Sequence, residues 1–350
     1  MKVVVIGATG NAGTSFIRAA ATDPDITSIT GVARRVPTAP MPKTDWVSAD
    51  ITTDDLGPLM RDADVVVHLA WLIQPSRDLA ALYETNVEGS RRVFEAAVRE
   101  EVPALVYASS VGAYSLGPKD RPVDETWPTQ GVATSFYSRH KAATERMLDE
   151  LEAEHPEMRV VRLRPGLIFK SESSTEQRRL FAGPFLPGSL LHPGAIPVVP
   201  DLPRLRFQCV HSYDIGEAYR LAVTKDVRGA FNVAADPILD PAELADLFGA
   251  RRVRITADTI YKLWNASYKL RLHPTPPGWL DLALQTPVMD TTRARTELGW
   301  QPTHTSRDAL LDLLKGMREG EGIDTPSLEP DSVKMRLAEL GKGVGRANPY

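Results

Sequence analysis

The sequence predicts an α/β fold, a doubly wound parallel sheet carrying a smaller C-terminal substrate-binding region. Three observations lead there. Short apolar runs alternate with amphipathic stretches through the first half of the chain, as in a parallel sheet covered by helices on both faces. The first apolar run, Val3 to Ile6, opens straight into a turn rich in glycine. After Phe169 the alternation gives way to long stretches rich in proline and glycine, with isolated strands and helices between them.

Taken in order, strands are expected at 2–6, 26–33, 45–48, 65–69, 105–108 and 159–163, with helices at 12–21, 85–99 and 137–151 between them. Residues 171–203 show no sustained period and read as an irregular excursion. A strand at 208–211, a helix at 214–223 and a strand at 230–233 then return to the sheet. A second excursion begins at Asp240-Pro241, where the aspartate suits a helix cap and the proline the first turn. These patterns divide the chain into a dinucleotide-binding part, 1–170 with about 204–236, and a substrate-binding part, about 171–203 with 237–315. Residues 316–350 read as a loosely held tail.

The turn after the first strand is Gly7-Ala8-Thr9-Gly10-Asn11-Ala12-Gly13. Its three glycines allow a tight turn, a close backbone approach to a pyrophosphate, and close packing of the following helix. The helix N-terminus then presents free N–H groups and a partial positive charge to the phosphates. This is the Rossmann-type arrangement, and its position between two strands predicts dinucleotide binding. An NAD site usually places an acid about 20 residues further on, to hold the ribose 2′-hydroxyl. Here Ala33 is followed by Arg34 and Arg35, whose guanidiniums suit a 2′-phosphate. NADP(H) is therefore expected ahead of NAD(H).

Composition sets the limits. The chain has 350 residues, 43% hydrophobic and 25% charged, which is ordinary globular usage. A net charge of -4 gives no electrostatic reason to expect nucleic acid or an anionic membrane as partner. Cys209 is the only cysteine, so no internal disulfide or cysteine-based zinc site can form, and a reducing, cytoplasmic setting fits. The seven histidines lack ligand spacing, and no metal is expected. No signal peptide or membrane-length apolar run is visible.

Taken together, the motifs resemble the extended short-chain dehydrogenase/reductase superfamily, the group known as the NAD-dependent epimerase/dehydratase family, from Met1 to about Pro302. Residues 7–13 resemble its glycine motif. Asp50-Ile51 resembles its adenine-side pair, and His68-Leu69-Ala70 the strand end lining the cofactor. Thr85-Asn86-Val87 resembles its helix opening, Ser109-Ser110 with Tyr114 its serine motif, and Tyr137-Ser138-Arg139-His140-Lys141 its Tyr-x-x-x-Lys. Asp290-Thr291-Thr292 and Leu298-Gly299-Trp300-Gln301-Pro302 are similar to the family's ending. The resemblance implies Ser110, Tyr137 and Lys141 as catalytic residues. It implies a coenzyme held by Gly7, Thr9, Gly10, Asn11, Ala12, Gly13, Asp50, Ile51, Leu69, Ala70, Asn86, Tyr137, Lys141 and Pro165, together with Arg34 and Arg35. It further implies a homodimer through the helices at 85–99 and 137–151.

The residue chemistry agrees. Tyr137 and Lys141 lie four apart on one helical face. An ammonium beside a phenol lowers its pKa toward the working pH of a proton-transfer catalyst. Ser110, at the C-terminal end of a parallel strand, sits where open α/β sheets bind ligands and could steady a substrate oxygen; a helix cap is the plainer role. His68 reads more simply as a core histidine.

The chain also departs from the sugar-nucleotide members it resembles. Their Asn and Gly after the sixth strand fall here on Leu167 and Lys170. Their diphosphate-binding arginine falls on Phe207, beside Arg206, and Pro274-Thr275-Pro276-Pro277-Gly278 stands where a second arginine is usual. Tyr261, Trp264, Tyr268 and Leu270 recur at helical spacing, as core or lid packing does; lining a pocket, they would favour an apolar substrate over a sugar. The reading that follows is an NADP(H)-dependent oxidoreductase acting on a carbonyl or secondary alcohol of a small molecule. A sugar or sugar-nucleotide epimerase or dehydratase is the alternative. A cofactor-sensing regulator is disfavoured, because it has no need of all three catalytic groups.

Overall fold

The computed structural model describes residues 1–74, 76–188 and 191–346. Its centre is a seven-stranded parallel sheet. The strands are β1 (Lys2–Ile6), β2 (Ser28–Ala33), β3 (Thr44–Ser48), β4 (Val65–His68), β5 (Ala104–Ala108), β7 (Arg159–Pro165) and β11 (Gly229–Val233), with β6 (Pro122–Val123) between β5 and β7 in sequence. The order across the sheet is β11-β7-β5-β4-β1-β2-β3. β1 lies at the switch, pairing Val3 with Ile29 on one side and with Val65 on the other. Helices cover both faces, so the central strands are apolar throughout rather than alternating; Val3, Val4, Val5 and Ile6 are all buried.

One face carries α1 (Asn11–Ala20) and α7 (Ser212–Thr224), which pack on β1, β5 and β7 through Phe16, Ile17, Ile215 and Tyr219. The other face carries α4 (Gly89–Arg99) and α5 (Phe136–Glu154), with α2 (Gly57–Met60) beside them. The expected helix at 85–99 is built differently. α3 (Leu79–Tyr83) leads into a π-helical turn over Glu84–Glu88 before α4 begins. Of the apolar positions available for a dimer, Val93, Ala96, Ala97 and Ala142 are buried within the chain's own core, and only Ala143 and Met147 are half-buried.

Beyond Phe169 the chain forms short pairings that its weak periodicity did not announce. β8 (Leu167–Phe169) pairs with β10 (Cys209–His211), and β9 (Val198–Asp201) with β12 (Arg251–Arg254); β13 (Val288–Met289) joins β6. With α6 (Ser174–Gln177), α8 (Pro241–Phe248) and α12 (Ser306–Glu319) they enclose a third core of Phe169, Val199, Cys209, Leu244, Phe248 and Leu313. α9 (Ala257–Lys269), α10 (Gly278–Gln285), α11 (Thr292–Thr296) and α13 (Val333–Lys342) complete the element order.

Where the sequence reads as a loose tail from residue 316, the structure shows a docked segment. Arg178 binds Asp331 and Glu339, and Arg77 donates from its backbone N–H to the carbonyl of Gly345. Isolated prolines and glycines hid these long-range ties. Positions 347–350 of that tail, and 189–190 of the first excursion, lie outside the described residues. Among the described residues no helix is long and apolar enough to cross a membrane, and no His, Cys, Asp and Glu cluster suits a metal ion.

Candidate active site

β1 ends where Gly7 takes φ +86°, a left-handed conformation that glycine adopts freely. A Cβ there would meet the backbone N of Ala70 at 2.6 Å, and one on Gly13 would meet the carbonyl oxygens of Ala8 and Gly7 at 2.5 and 2.6 Å. Both residues are therefore fixed by close backbone approach. Gly10 caps α1 without a side-chain bond, leaving the first-turn N–H groups directed at the cleft above the sheet. Asn11 braces this turn, donating to Ile168 O at 3.2 Å and accepting from Ser212 Oγ at 2.7 Å.

The cleft, of about 330 Å³, runs along the C-terminal ends of the strands, the usual ligand position in such sheets. It gathers Gly7, Thr9, Gly10, Asn11, Ala12 and Gly13 with Arg34, Arg35, Asp50, Ile51, Leu69, Ala70, Pro165, Ser110, Tyr137 and Lys141. Asn86 is the exception among the expected cofactor contacts. It is fully buried and spends its amide on Leu72, accepting from the backbone N and donating to the O at 2.7 Å each. The π-helical turn points it inward, so it fixes a wall residue and does not line the cleft. His68 is likewise buried, bonded to Ser90 Oγ at 2.9 Å, and burial pushes its pKa down to about 3.

Tyr137 and Lys141 share a face of α5, but the expected lowering of the phenol pKa is not found. Burial pushes Tyr137 up to about 12, opposed by its hydrogen bond with Ser110. Lys141 reaches past it to the sheet. Its Nζ donates to Ala108 O at 2.6 Å, lies 3.4 Å from the centre of the Trp71 ring and stays 6.0 Å from the centre of the Tyr137 ring. Burial drives this ammonium's own pKa well down. Ser110 also accepts from Gly112 N at 3.0 Å, so the capping role and the contact with Tyr137 coexist.

Sequence reading missed two parts of the wall. The first is apolar: Trp71, Leu72, Ile73, Leu180, Phe181, Trp279 and Leu282 line the end that holds Tyr137. Trp279 lies 5.0 Å from Tyr137 and 5.0 Å from Phe181, ring centre to ring centre. The run Trp71-Leu72-Ile73 directly after a strand end was the available signal. The second is Pro326 and Ser327, which line the opposite end. Ser327 Oγ lies 3.4 Å from Thr9 Oγ1, and Thr38 donates to Asp324 at 2.9 Å. No local pattern links residues so far apart. The aromatic stripe at 261–270 is absent from the lining. Leu167 does line the cleft, whereas Lys170 is buried beneath α1, donating to Thr14 Oγ1 at 2.8 Å and Ser15 Oγ at 3.1 Å. Tyr114 also stands clear of the cleft, donating to Asn232 Oδ1 at 2.6 Å.

A glycine-built phosphate turn on the first strand of a Rossmann-like sheet, with Ser110, Tyr137 and Lys141 in the same cleft, defines a nicotinamide-coenzyme protein of the extended short-chain dehydrogenase/reductase type. The model of the NAD-dependent epimerase/dehydratase family matches residues 3–234, and the chain belongs to that family. An uncharacterised protein of Mycobacterium tuberculosis is 27% identical, covering 88% of this chain and 80% of its own length. L-arabinose 1-dehydrogenase (NAD(P)(+)) of Haloferax volcanii is 28% identical, over 50% of this chain and 70% of that one. The decarboxylating sterol-4-alpha-carboxylate 3-dehydrogenase of Candida albicans is 29% identical, over 63% of this chain and 58% of that one. Among solved structures, UDP-glucose 4-epimerase of Thermotoga maritima superposes with a TM-score of 0.66 at 18% identity, over 91% of this chain and 99% of that one. A dTDP-glucose 4,6-dehydratase from Streptomyces venezuelae superposes with a TM-score of 0.65 at 18% identity, over 91% and 97%. At these identities the superpositions establish the fold.

Proposed function

We propose that the protein is an NADP(H)-dependent oxidoreductase that interconverts a ketone and a secondary alcohol on an apolar, ring-bearing small molecule. The observation that carries this reading is the wall around Tyr137: Trp71, Leu72, Ile73, Phe181 and Trp279 offer aromatic and aliphatic surface. Of the lysines and arginines that line the cleft, Lys141 stands at that end, while Arg34 and Arg35 stand at the other. A nucleoside diphosphate sugar needs cations for its own pyrophosphate, and Phe207 and the run Pro274–Gly278 replace the arginines that would supply them. The two dehydrogenase relatives accord with net oxidation or reduction.

The bound nicotinamide coenzyme supplies or accepts the hydride. In the reducing direction, Ser110 donates a hydrogen bond to the carbonyl oxygen, and Tyr137 delivers the proton that makes it a hydroxyl. In the oxidising direction, Tyr137 takes that proton back. Lys141 would hold the nicotinamide ribose, and the hydrogen bond from Ser110 offsets part of the cost of ionising Tyr137 in its buried position. Trp279 and Trp71 exclude water from around the phenol.

The test is a screen of dialysed protein against ring-bearing ketones, short ketones and sugar nucleotides, following NADPH absorbance. Net coenzyme consumption with a ring-bearing ketone is expected. Tyr137→Phe should then lower kcat by about 10²–10⁴-fold with coenzyme affinity retained. Near-normal turnover in that variant would sink the catalytic assignment. Conversion of a sugar nucleotide without net coenzyme use would replace the reading with an epimerase or dehydratase.

A further inference from the structure

The stripe Tyr261, Trp264, Tyr268 and Leu270 lies on α9, and α9 has no buried residue. Trp264 and Tyr268 are half-buried against His273, whereas Tyr261, Leu263 and Leu270 face water, Leu263 65% and Leu270 71% exposed. α13 repeats the pattern: it too buries nothing, and Val333 is 74% exposed, with Leu337 and Leu340 exposed on the following turns. The C-terminal ends of the two helices are tied together. One guanidinium, that of Arg77, donates both to Tyr268 O at the end of α9 and to Val344 O just beyond α13. The exposed Phe185 adjoins the same junction, because Arg336 of α13 donates to the carbonyls of Pro184 and Leu186 on either side of it. Exposed apolar side chains gathered on neighbouring segments in this way mark an interaction site.

The charge on these two segments is predominantly positive. Residues 251–272 contain Arg251, Arg252, Arg254, Lys262, Lys269 and Arg271 against a single acid, Asp258, which is paired with Lys262 at 2.7 Å. α13 adds Lys334 and Lys342, both exposed, while its Glu339 is already bound by Arg178. In a chain of net charge -4 this is a local reversal, and the whole-chain value conceals it. Leucine, tyrosine and tryptophan interleaved with lysine and arginine on an exposed helix form the pattern of segments that lie in a lipid interface, where cations meet anionic headgroups.

We propose that the α9–α13 face docks on an anionic phospholipid surface. The site lies beside the apolar end of the cleft. Trp264 of α9 donates to Thr275 O at 3.0 Å, and Thr275 donates to the carbonyl of Phe181, a wall residue, at 3.3 Å. Resting on the reading of that end as the substrate pocket, docking there lets an apolar substrate pass from the bilayer to Tyr137 without crossing bulk water.

The experiment is flotation of the full chain with vesicles of phosphatidylcholine alone and with equal parts phosphatidylcholine and phosphatidylglycerol. Binding to the anionic vesicles only, weakening as salt rises, is expected. The triple variant Leu263→Ser, Leu270→Ser, Leu337→Ser should lose it. Each reversal among Lys269→Glu, Arg271→Glu and Lys334→Glu should lower partitioning by about fivefold or more. These side chains face water, and unchanged circular dichroism and coenzyme affinity in each variant would establish that the fold survives. No flotation with anionic vesicles would overturn the proposal. So would a dimer that the leucine substitutions convert to a monomer without any vesicle binding, since the face would then belong to a second copy of the chain. Flotation is read without substrate, so its failure leaves the reading of the cleft intact, and failure to find an apolar substrate leaves flotation intact.

Discussion

Arg34 and Arg35 follow β2 as the chain leaves the sheet, and both are exposed at the rim of the cleft. No carboxylate stands nearby at 31–37 to compete for a ribose hydroxyl, and a planar guanidinium grips phosphate bidentately. Unaltered protein should prefer NADP(H) by about tenfold or more, and Arg34→Ala with Arg35→Ala should bring the two coenzymes close to equality. Fluorescence titration at physiological salt reads this, and equal affinities before mutation would refute it. Glu145, by contrast, gave no sign in the sequence. It lies four residues beyond Lys141, fully buried, with Arg164 and Arg162 each at 2.9 Å and Ser109 donating to it. Burial alone would raise its pKa, but the bonds and charge of Arg164, joined by Arg162, hold it down to about 2 from 4.5. A folded-state pKa below the unfolded one stabilises the fold above about pH 4.5, and the gain fades as pH falls toward 2. Glu145→Gln leaves the buried Arg164 without its carboxylate, while Arg162 keeps Asp149 and Glu152, and should cost about 3–5 kcal/mol at neutral pH. Its deficit should shrink at about pH 3. Urea unfolding at both pH values checks the sign, and a pH-independent deficit would exclude the charge as its source.

At the scale of elements, legibility followed burial. The strands of the central sheet other than the edge strand β3, and helices α1, α5 and α7, each bury a run or stripe, so their periods stand in the sequence and their bounds shift by only a few residues. α9 shows its helical period as well, and the stripe packs only in part: Trp264 and Tyr268 lie half-buried against His273 while Tyr261 and Leu270 face water. The short strands β8, β9, β10 and β12 are held by pairing with distant partners, which no local pattern encodes. The same holds for the segment between α12 and α13. It crosses the coenzyme end of the cleft through Pro326 and Ser327 and is pinned by Thr38 to Asp324 and by Arg35 to Pro326 O. A strap held across that end of the cleft is expected to slow the exit of a bound coenzyme. Removing its pins with Thr38→Ala and Ser327→Ala should speed coenzyme release by on the order of fivefold per hydrogen bond lost. Stopped-flow displacement measures that rate, and a rate equal to that of the unaltered protein would mean that the strap does not gate the site.

Across the whole molecule, the chain's end is built into its beginning. Trp300, within the family-like ending Leu298–Pro302, is fully buried in the cluster formed by β1, α1 and α7, beside Val3, Ile17 and Ile215. Its indole N–H donates to Asp214 O at 2.8 Å, and the Asp214 carboxylate in turn accepts from the backbone N–H of Thr303 and of His304. The first and last parts therefore share one core, although the sequence divides into a regular half and an irregular one. Trp300→Ala removes the largest fully buried side chain together with its hydrogen bond, at a cost of about 3–5 kcal/mol. Because that core spans both parts, the loss should lower one common unfolding transition rather than release the C-terminal region alone. Far-ultraviolet dichroism and intrinsic tryptophan fluorescence should shift together along the denaturant axis, by the same amount. Coenzyme at 100 times its Kd should move both back by about 2.7 kcal/mol, since it binds only the assembled sheet end. Two separate transitions in the variant, with coenzyme acting on the second alone, would show that the sheet holds without the chain's last third.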